Sequence, residues 1–507
     1  MPSSTKTAAV TNNAAHLAQL KRQLDTMRSL SNIESCTELS QRMTLADQRK
    51  PLLDKIEKYE LLVENDRVIA AIQKFEELNP PAMEECKLCH EKIRLGDWKK
   101  TTMNSRGEPC NILYCCGGII CNKCFDAATK EEDTDGDDGS GDKKKEKSCP
   151  LCHDVLPPVG SEEMKSQMKK NAQGGHAESQ LNLGICLLGP GFLFGGGMYP
   201  CDGFETNKKQ GLKWIRAAAK QNHPMALYML GKCYLEGIDG ILKKSPVDAF
   251  RSIELASKLG SSWAHSLLGP LYFSGKGVDK DKAQAVTHVT IAYGLGVRID
   301  TPLKLGAMFK GGLGGLDQNL VLAKHYLEEA SMKVVDEKAY GLLADVLMKL
   351  NGEQYDGSMH IPGHSCIPQC LYWLRRAADD DGDKTAGMKA KGLEEAMQNF
   401  CNGCLKTAIG VPRTPGIGQC PGKLQRCSRC KAAWYCDNRC QKFHWKRGHK
   451  VDCVDPKKNV SEKFNHVDNF NEAIRASVPP EQYQETRQQF AEALLEAFQK
   501  VGPPPRR

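Results

Sequence analysis

The sequence predicts a mainly α fold, an α-solenoid of helix-hairpin repeats flanked by two small cysteine-rich modules. Three observations predict it. A pattern of the form A-x-x-x-L-G recurs through the middle of the chain. Apolar residues ahead of it recur at helical spacing. The 23 cysteines gather mainly at 86–152 and 401–453 rather than spreading along the 507 residues.

The repeat is clearest at Ala226-Leu230-Gly231 and Ala264-Leu268-Gly269, with weaker copies at Leu183-Gly184, Leu305-Gly306 and Leu343-Ala344. The small residues fall 47, 38, 37 and 38 positions apart. Ala218, Ala256, Ala292, Ala330 and Ala377 mark the following helix with a similar period. A small residue lets two helices approach closely, and one pair cannot bury its apolar face alone, so neighbours must stack. The Gly-rich segments Ser274–Val278 and Gly311–Gly315 recur at the repeat period with no G-K-[ST] after them, so they are turns and not phosphate loops. Residues 172–395 resemble the Sel-one-like family of tetratricopeptide-type repeats, best over Ala226–Gly260 and Ala264–Gly296. Insertions at Gly189–Asp202 and Asn351–Pro368 set the first and fifth copies apart. The resemblance implies binding of other proteins, not catalysis.

Residues 1–80 read as a helical N-terminal arm. Leu17, Leu20, Leu24 and Met27 share a helix face, and Pro51 is placed at the start of a second helix carrying Ile56, Leu61, Val68, Ile69 and Ile72. Residues 460–507 read as a C-terminal helix, with Phe490, Leu494, Leu495 and Phe498 on one face, and a disordered Pro/Arg-rich tail. Lys plus Arg number 70 against 62 for Asp plus Glu, a surplus too small to argue for nucleic acid or an anionic membrane. The first thirty residues lack the apolar core of an export signal, and no run of about 18 apolar residues occurs. The expected location is therefore intracellular, cytoplasmic or nuclear, with thiols kept reduced. Cys36, Cys186 and Cys233 lie outside the clusters and read as small apolar residues.

The strongest chemical signal is the set Cys401, Cys404, Cys427, Cys430, Cys436, Cys440, His449 and Cys453 at 398–456. A C-x-x-C turn brings two thiolates to one ion, and an x3 spacing sets two ligands one helical turn apart. Eight soft donors suit two closed tetrahedral zinc ions, structural rather than catalytic. About 50 residues cannot fold on apolar burial alone, so the metal stabilises the segment. Spacing alone permits either a sequential or an interleaved partition of the ligands. With Trp434-Tyr435-Cys436, Cys440-Gln441 and Trp445, the segment resembles the MYND zinc-finger family. That resemblance implies interleaving: Cys401, Cys404, Cys436 and Cys440 on one ion, and Cys427, Cys430, His449 and Cys453 on the other. It also implies binding of proline-rich peptides, with Gln441 and Trp445 at the groove; packing in the core is the other reading of Trp445. Cys420 fits no ligand position.

Residues 81–158 form the first module. Cys86 and Cys89, Cys121 and Cys124, and Cys149 and Cys152 are C-x-x-C pairs, with Cys110, Cys115 and Cys116 between them, again zinc spacing. A charged insertion at 130–147 cannot bury apolar area and is expected to be disordered. The order of the pairs resembles a RING finger, which implies two zinc ions and recruitment of a ubiquitin-conjugating enzyme through Leu88 and Pro150. In that alignment Cys116 is the third ligand, and Gly118 stands where a histidine is usual. Cys115 fills the gap, with Cys110 the alternative. A third cluster, His364, Cys366 and Cys370, reads as an ordinary loop.

Two functions follow. The first is an intracellular zinc-binding scaffold that recognises partner proteins and peptides through its repeats and finger. The second is a RING-type ubiquitin ligase that uses those parts to select substrate and acts by orienting a thioester, not by a nucleophile of its own. Nucleic-acid binding through Lys442, Lys446, Arg447 and Lys450 lacks an aromatic-lined groove or a base-reading helix. A methyltransferase would need the space that the repeats occupy.

Overall fold

A computed structural model describes residues 7–30, 39–80, 83–85, 87–90, 92–94, 124, 149, 151, 161–189, 204–297, 300–333, 337–355, 367–380, 382–411, 418–450, 453 and 455. The chain divides into two compact units, residues 71–297 and residues 1–70 with 298–507.

In the unit 71–297, a short antiparallel hairpin pairs β1 (Met83–Glu85) with β2 (Lys92–Arg94). The helices follow: α3 (Glu162–Gln173), α4 (Ala177–Leu188), α5 (Lys208–Lys220), α6 (Pro224–Glu236), α7 (Pro246–Lys258), α8 (Ser262–Ser274) and α9 (Lys282–Gly294). They pack in sequence as the pairs α4/α5, α6/α7 and α8/α9. One buried cluster runs from α4 to α8, from Leu181 and Ile215 through Tyr228 and Ile253 to Leu268 and Leu271, and α3 packs on α4 through a second cluster of Met164, Met168, Leu183 and Leu187.

The small-residue marker acts by close approach. A Cβ at Gly231 would sit 2.3 Å from Ile253 Cγ1, and one at Gly269 would sit 2.4 Å from Val289 Cγ2. Gly184 faces Ile215 and Gly306 faces Leu327 in the same way. The second helix of each pair begins at a side-chain cap: Asn207 for α5, Ser245 for α7 and Asp281 for α9 each accept a hydrogen bond from a backbone N–H two or three residues on. The turn back to the next pair needs a left-handed residue, supplied by Asn222 (φ 58°), Gly260 (φ 100°) and Gly296 (φ 99°). These two markers also keep the repeat period, and the sequence reading did not use them.

The other unit holds α1 (Thr7–Leu30), α2 (Leu39–Leu78, as far as residue 70), α10 (Thr301–Gly311), α11 (Leu320–Lys333), α12 (Glu337–Gln354), α13 (Ile367–Asp380) and α14 (Lys384–Met397). The pairs α10/α11 and α12/α13 repeat the same packing, with α14 on α13. Each unit is thus a stretch of α-solenoid. Cys370 is part of it: the buried thiol donates to the Ala344 carbonyl at 3.4 Å, across the α12/α13 pair. His364 and Cys366 lie outside the described residues.

Two expectations are corrected. Cys370, expected in a loop, is a buried residue of α13, because its thiol packs between the paired helices. Pro51 does not start a helix; it lies inside α2, which is continuous over 40 residues. The proline removes one intrahelical hydrogen bond. Packing on both sides of it outweighs that loss, because Met43 and Ala46 before it and Leu53 and Ile56 after it enter one buried cluster with Leu20, Leu24 and Tyr355. The N-terminal helices are therefore packed on the later repeats. Glu57 pairs with Lys324 at 3.2 Å, and Glu64 accepts from the Tyr326 hydroxyl.

The insertions at 190–202 and 356–366, the charged segment 130–147 and the C-terminal helix expected at 490–498 lie outside the described residues. Among the described residues no helix is long and apolar enough to cross a membrane.

Candidate metal centre

The second module is built on a two-stranded hairpin, β3 (Gln425–Arg426) with β4 (Trp434–Tyr435), followed by α15 (Asn438–His444) and one π turn (Trp445–His449). Cys427 and Cys430 occupy the hairpin tip, where the Cys427 N–H donates to the Ala433 carbonyl at 2.7 Å. Asp437 caps α15 by accepting from the Cys440 N–H at 2.8 Å. Because α15 begins at Asn438, only Cys440 of the Cys436/Cys440 pair lies on the helix. The one-turn geometry expected of that pair is replaced by a strand end meeting a first turn, with the two sulfurs 3.3 Å apart. His449 and Cys453 do keep one helical turn, since the Cys453 N–H donates to the His449 carbonyl at 2.7 Å.

The eight side chains come together as two sets, Cys401, Cys404, Cys436 and Cys440, and Cys427, Cys430, His449 and Cys453. In each set all four donor atoms lie within 4.8 Å of one another. The interleaved partition is therefore the one adopted. Sulfurs about 2.3 Å from a tetrahedral zinc stand about 3.8 Å apart. Cys404 and Cys436 are 3.7 Å apart, Cys427 and Cys453 are 3.8 Å apart, and Cys430 Sγ lies 3.6 Å from His449 Nε2. These separations fit ligands around an ion, and they are far beyond the ~2.05 Å of a disulfide. No described cysteine is in a disulfide.

Both C-x-x-C turns share a backbone device. Each ends in a left-handed residue, Leu405 (φ 56°) after Cys404 and Lys431 (φ 54°) after Cys430. Leu405 N–H bonds the Cys401 carbonyl at 2.7 Å, and Lys431 N–H bonds that of Cys427 at 3.2 Å. The fold holds Asn402 and Gly403 in place. The buried Asn402 side chain accepts from the Trp434 N–H at 2.6 Å, and a Cβ on Gly403 would strike Cys440 at 2.5 Å.

The electrostatics call for a cation. A hydrogen bond from Cys404 is the main cause that draws the Cys401 thiol down to about 5, while the same bond pushes Cys404 upward. Burial alone would lower the His449 imidazole, but the Cys427 and Cys453 sulfurs outweigh it and raise the group to about 9. Four crowded sulfurs cannot all ionise against one another, whereas a dication lets them. Donor set, spacing and charge all fit two zinc ions, one per set. When bound, zinc supplies structural cross-linking, and with all four donors of each set taken it has no open position for chemistry.

His449 is held by aromatic neighbours. His444 stacks on it with centroids 4.7 Å apart, and Trp445 meets it edge-on at 6.0 Å. Tyr435 hydroxyl is 2.8 Å from His444 Nδ1. Trp445 and Gln441 are half-buried. Cys420 belongs to neither set; its buried thiol donates to the Lys406 carbonyl at 3.3 Å, and burial pushes it up to about 11. Sequence reasoning missed Asn402, Gly403 and His444, and it named Tyr435 only within the Trp434-Tyr435-Cys436 motif. Of the three missed, only Gly403, a glycine inside a C-x-x-C turn, carries a signal in the sequence.

A family profile described as MYND finger matches residues 401–453. The segment is a MYND finger. The profile described as Sel1 repeat matches 177–223, 224–261, 264–297, 303–333 and 357–381, so the chain also carries Sel1 repeats. Among curated proteins, ubiquitin carboxyl-terminal hydrolase 17 of Arabidopsis thaliana is 42% identical over 53 residues, covering 10% of this chain and 7% of the hydrolase. Ubiquitin carboxyl-terminal hydrolase 16 of the same plant is 61% identical over 28 residues, 6% of this chain and 3% of the relative. The chain thus spans under a tenth of the length of these relatives, and their hydrolase activity stays with them. Solved structures similar to parts of the chain include a protective antigen of uropathogenic Escherichia coli with an SLR fold. It has a TM-score of 0.37 and 23% identity, covering 46% of this chain and 44% of the antigen. A Sel1 repeat protein from Oxalobacter formigenes has a TM-score of 0.32 and 23% identity, covering 42% of this chain and 75% of that one.

Of the first module's expected ligands, Cys89, Cys124 and Cys149 are described, whereas Cys86, Cys115, Cys116, Cys121 and Cys152 lie outside the described residues, as does Pro150. Cys89 is exposed at the tip between β1 and β2, next to Leu88, which is 39% exposed, and Cys149 is fully buried. His90, after Cys89, is left-handed at φ 60°. Leu151 N–H donates to Cys149 Sγ at 3.4 Å, as Ala432 N–H does to Cys430 Sγ at 3.4 Å.

Proposed function

We propose that this protein is an intracellular recognition scaffold whose MYND finger binds a short proline-rich peptide at Gln441 and Trp445 while the Sel1 repeats hold a second partner. The closed donor sets carry this reading: every ligand of the finger is used in holding metal, so the finger presents a surface and performs no metal chemistry. Fluorescence anisotropy with a proline-rich peptide tests it. Measured with free zinc high enough to keep both sets filled in both proteins, Trp445→Ala is expected to weaken binding at least tenfold, and equal affinity of the two proteins rejects the peptide site.

The first module is read as a further zinc platform. Support comes from the left-handed residue that follows Cys89, as one follows Cys404 and Cys430, and from the shared N–H···S bonds at Cys149 and Cys430. Cys86, Cys89, Cys115, Cys116, Cys121, Cys124, Cys149 and Cys152 are its proposed ligands. Native mass spectrometry of the full chain is expected to count four zinc ions; two would restrict metal to the finger.

A second reading makes this module a ubiquitin ligase that docks a conjugating enzyme on Leu88 and Pro150. The exposure of Leu88 at the turn tip favours it. Auto-ubiquitination in a purified mixture, lost in Leu88→Ala with zinc retained, is the expected result. Absence of any ubiquitin transfer by the wild-type chain across a panel of conjugating enzymes rejects it.

A further inference from the structure

We infer that Arg375, a residue of the repeat helix α13, is a positioning residue for the second metal set, and that through it the ion holds α13 and α14 in place. The guanidinium reaches out of the repeats onto the C-x-x-C turn of the finger. Its Nη1 donates to the Cys430 carbonyl at 3.0 Å, its Nη2 to the Lys431 carbonyl at 3.0 Å, and its Nε to Glu394 Oε1 on α14 at 2.8 Å. Arg426 completes the arrangement. Its Nε donates to the same Lys431 carbonyl at 2.7 Å, its Nη2 lies 3.5 Å from Glu394, and its guanidinium sits 5.4 Å from the Trp434 ring centre.

The peptide group that these cations grip is the one that serves the ligand. The Lys431 carbonyl and the Ala432 N–H belong to one peptide plane, and that N–H donates to Cys430 Sγ at 3.4 Å. Two cationic donors on the carbonyl polarise the peptide and strengthen the N–H···S bond on its other side. They also fix the left-handed turn at Lys431 that aims both cysteines at one point. The charge points the same way. A zinc ion with three thiolates and a neutral imidazole carries one negative charge in excess, and two guanidiniums close by offset it. Partners that orient metal ligands in this manner alter metal affinity by roughly 10–100-fold. Linkage is reciprocal, so metal that needs Arg375 in place also keeps α13 and α14 docked.

The test uses the full chain in zinc buffers of decreasing free zinc, with amide hydrogen exchange read peptide by peptide. Arg375→Ala is expected to raise about tenfold the free zinc at which residues 427–435 lose half their protection, with residues 401–406 shifted far less. Arg375→Lys is expected to fall between, because an ammonium keeps the charge but not the fork that spans two carbonyls. Stripping zinc from the wild type is expected to loosen α13 and α14, and to loosen them no further in Arg375→Ala. Should Arg375→Ala prove too unstable to read, Glu394→Gln, which frees the guanidinium from its anchor on α14, is expected to move the 427–435 midpoint in the same direction. An unmoved midpoint, or the same shift at both turns, overturns the inference. Protection in the wild type that ignores zinc altogether overturns the zinc assignment with it.

Discussion

His444 and His449 stack nearly parallel, 15° apart with ring centroids 4.7 Å from each other, so a ligand imidazole leans on a histidine that binds no metal. His444 is itself fixed by the Tyr435 hydroxyl at 2.8 Å. The stack fixes the plane of the ligand ring in the folded finger, as partners that orient metal ligands do.

That stack makes His444→Ala a variant that keeps all eight ligands yet binds zinc more weakly at the second set. A loss of roughly tenfold is expected in competition with a chromophoric chelator, in line with the effect of partners that orient metal ligands. Tyr435→Phe, which removes only the hydroxyl, is expected to lose less. Unchanged affinity in both would show that the stack is incidental.

Gly269 and Gly392 should respond in opposite directions to the same kind of change. A Cβ at Gly269 would lie 2.4 Å from Val289 Cγ2, so Gly269→Ala forces α8 and α9 apart and costs about 1–3 kcal/mol. Gly392 lies in α14 with open space around the position, and Gly392→Ala is expected to stabilise by roughly 0.5–1 kcal/mol through helix propensity. Urea unfolding followed by circular dichroism checks both.

Asp66 of α2 imposes a pH dependence of known sign. Burial raises its carboxyl from 3.8 to about 7, against a weaker pull from Asn13. The folded value lies above the unfolded one, so the protonated acid is favoured in the fold. Its contribution is complete below pH ~4 and is lost as pH rises through about 7. Asp66→Asn should match the wild type at pH 4 and exceed it at pH 8 by an amount on the order of a few kcal/mol. Denaturant midpoints at the two pH values decide the matter; parallel behaviour of the two proteins would refute the assignment.

Removing zinc should unfold the finger and loosen α13 and α14 while the other repeat helices stay folded. Excess chelator is expected to abolish exchange protection over 401–453. Most of the helical circular dichroism should remain, because the repeat cores at Ile215, Ile253 and Leu268 are apolar and metal-free. Complete loss of helicity on chelation would contradict this independence.

Much of this architecture was legible in the sequence, because its signals are local and repeated. Gly231 and Gly269 recur with their alanine partners at one period, and helix pairs follow from that spacing alone. The eight finger ligands were legible because C-x-x-C turns and x3 spacings place soft donors within reach of one ion, whatever surrounds them. Pro51 was misplaced for the complementary reason. Its local cost is real, but the outcome depended on Met43, Ala46, Leu53 and Ile56 finding Leu20, Leu24 and Tyr355.

By itself, the sequence determined that helices pair at Gly184, Gly231, Gly269 and Gly306 and that two metal sets lie within 401–453, since short-range sterics and ligand chemistry decide both. The interleaving that the family resemblance implied, and that spacing alone left open, is the one the structure adopts; the tertiary structure alone decided that His444 braces His449 and that Arg375 reaches from α13 to the carbonyls of Cys430 and Lys431. Arg375 and Cys430 lie 55 positions apart. No local pattern encodes that contact, because it exists only once the backbone has brought the two elements together, and the stacking of the two histidines depends on the π turn at Trp445–His449.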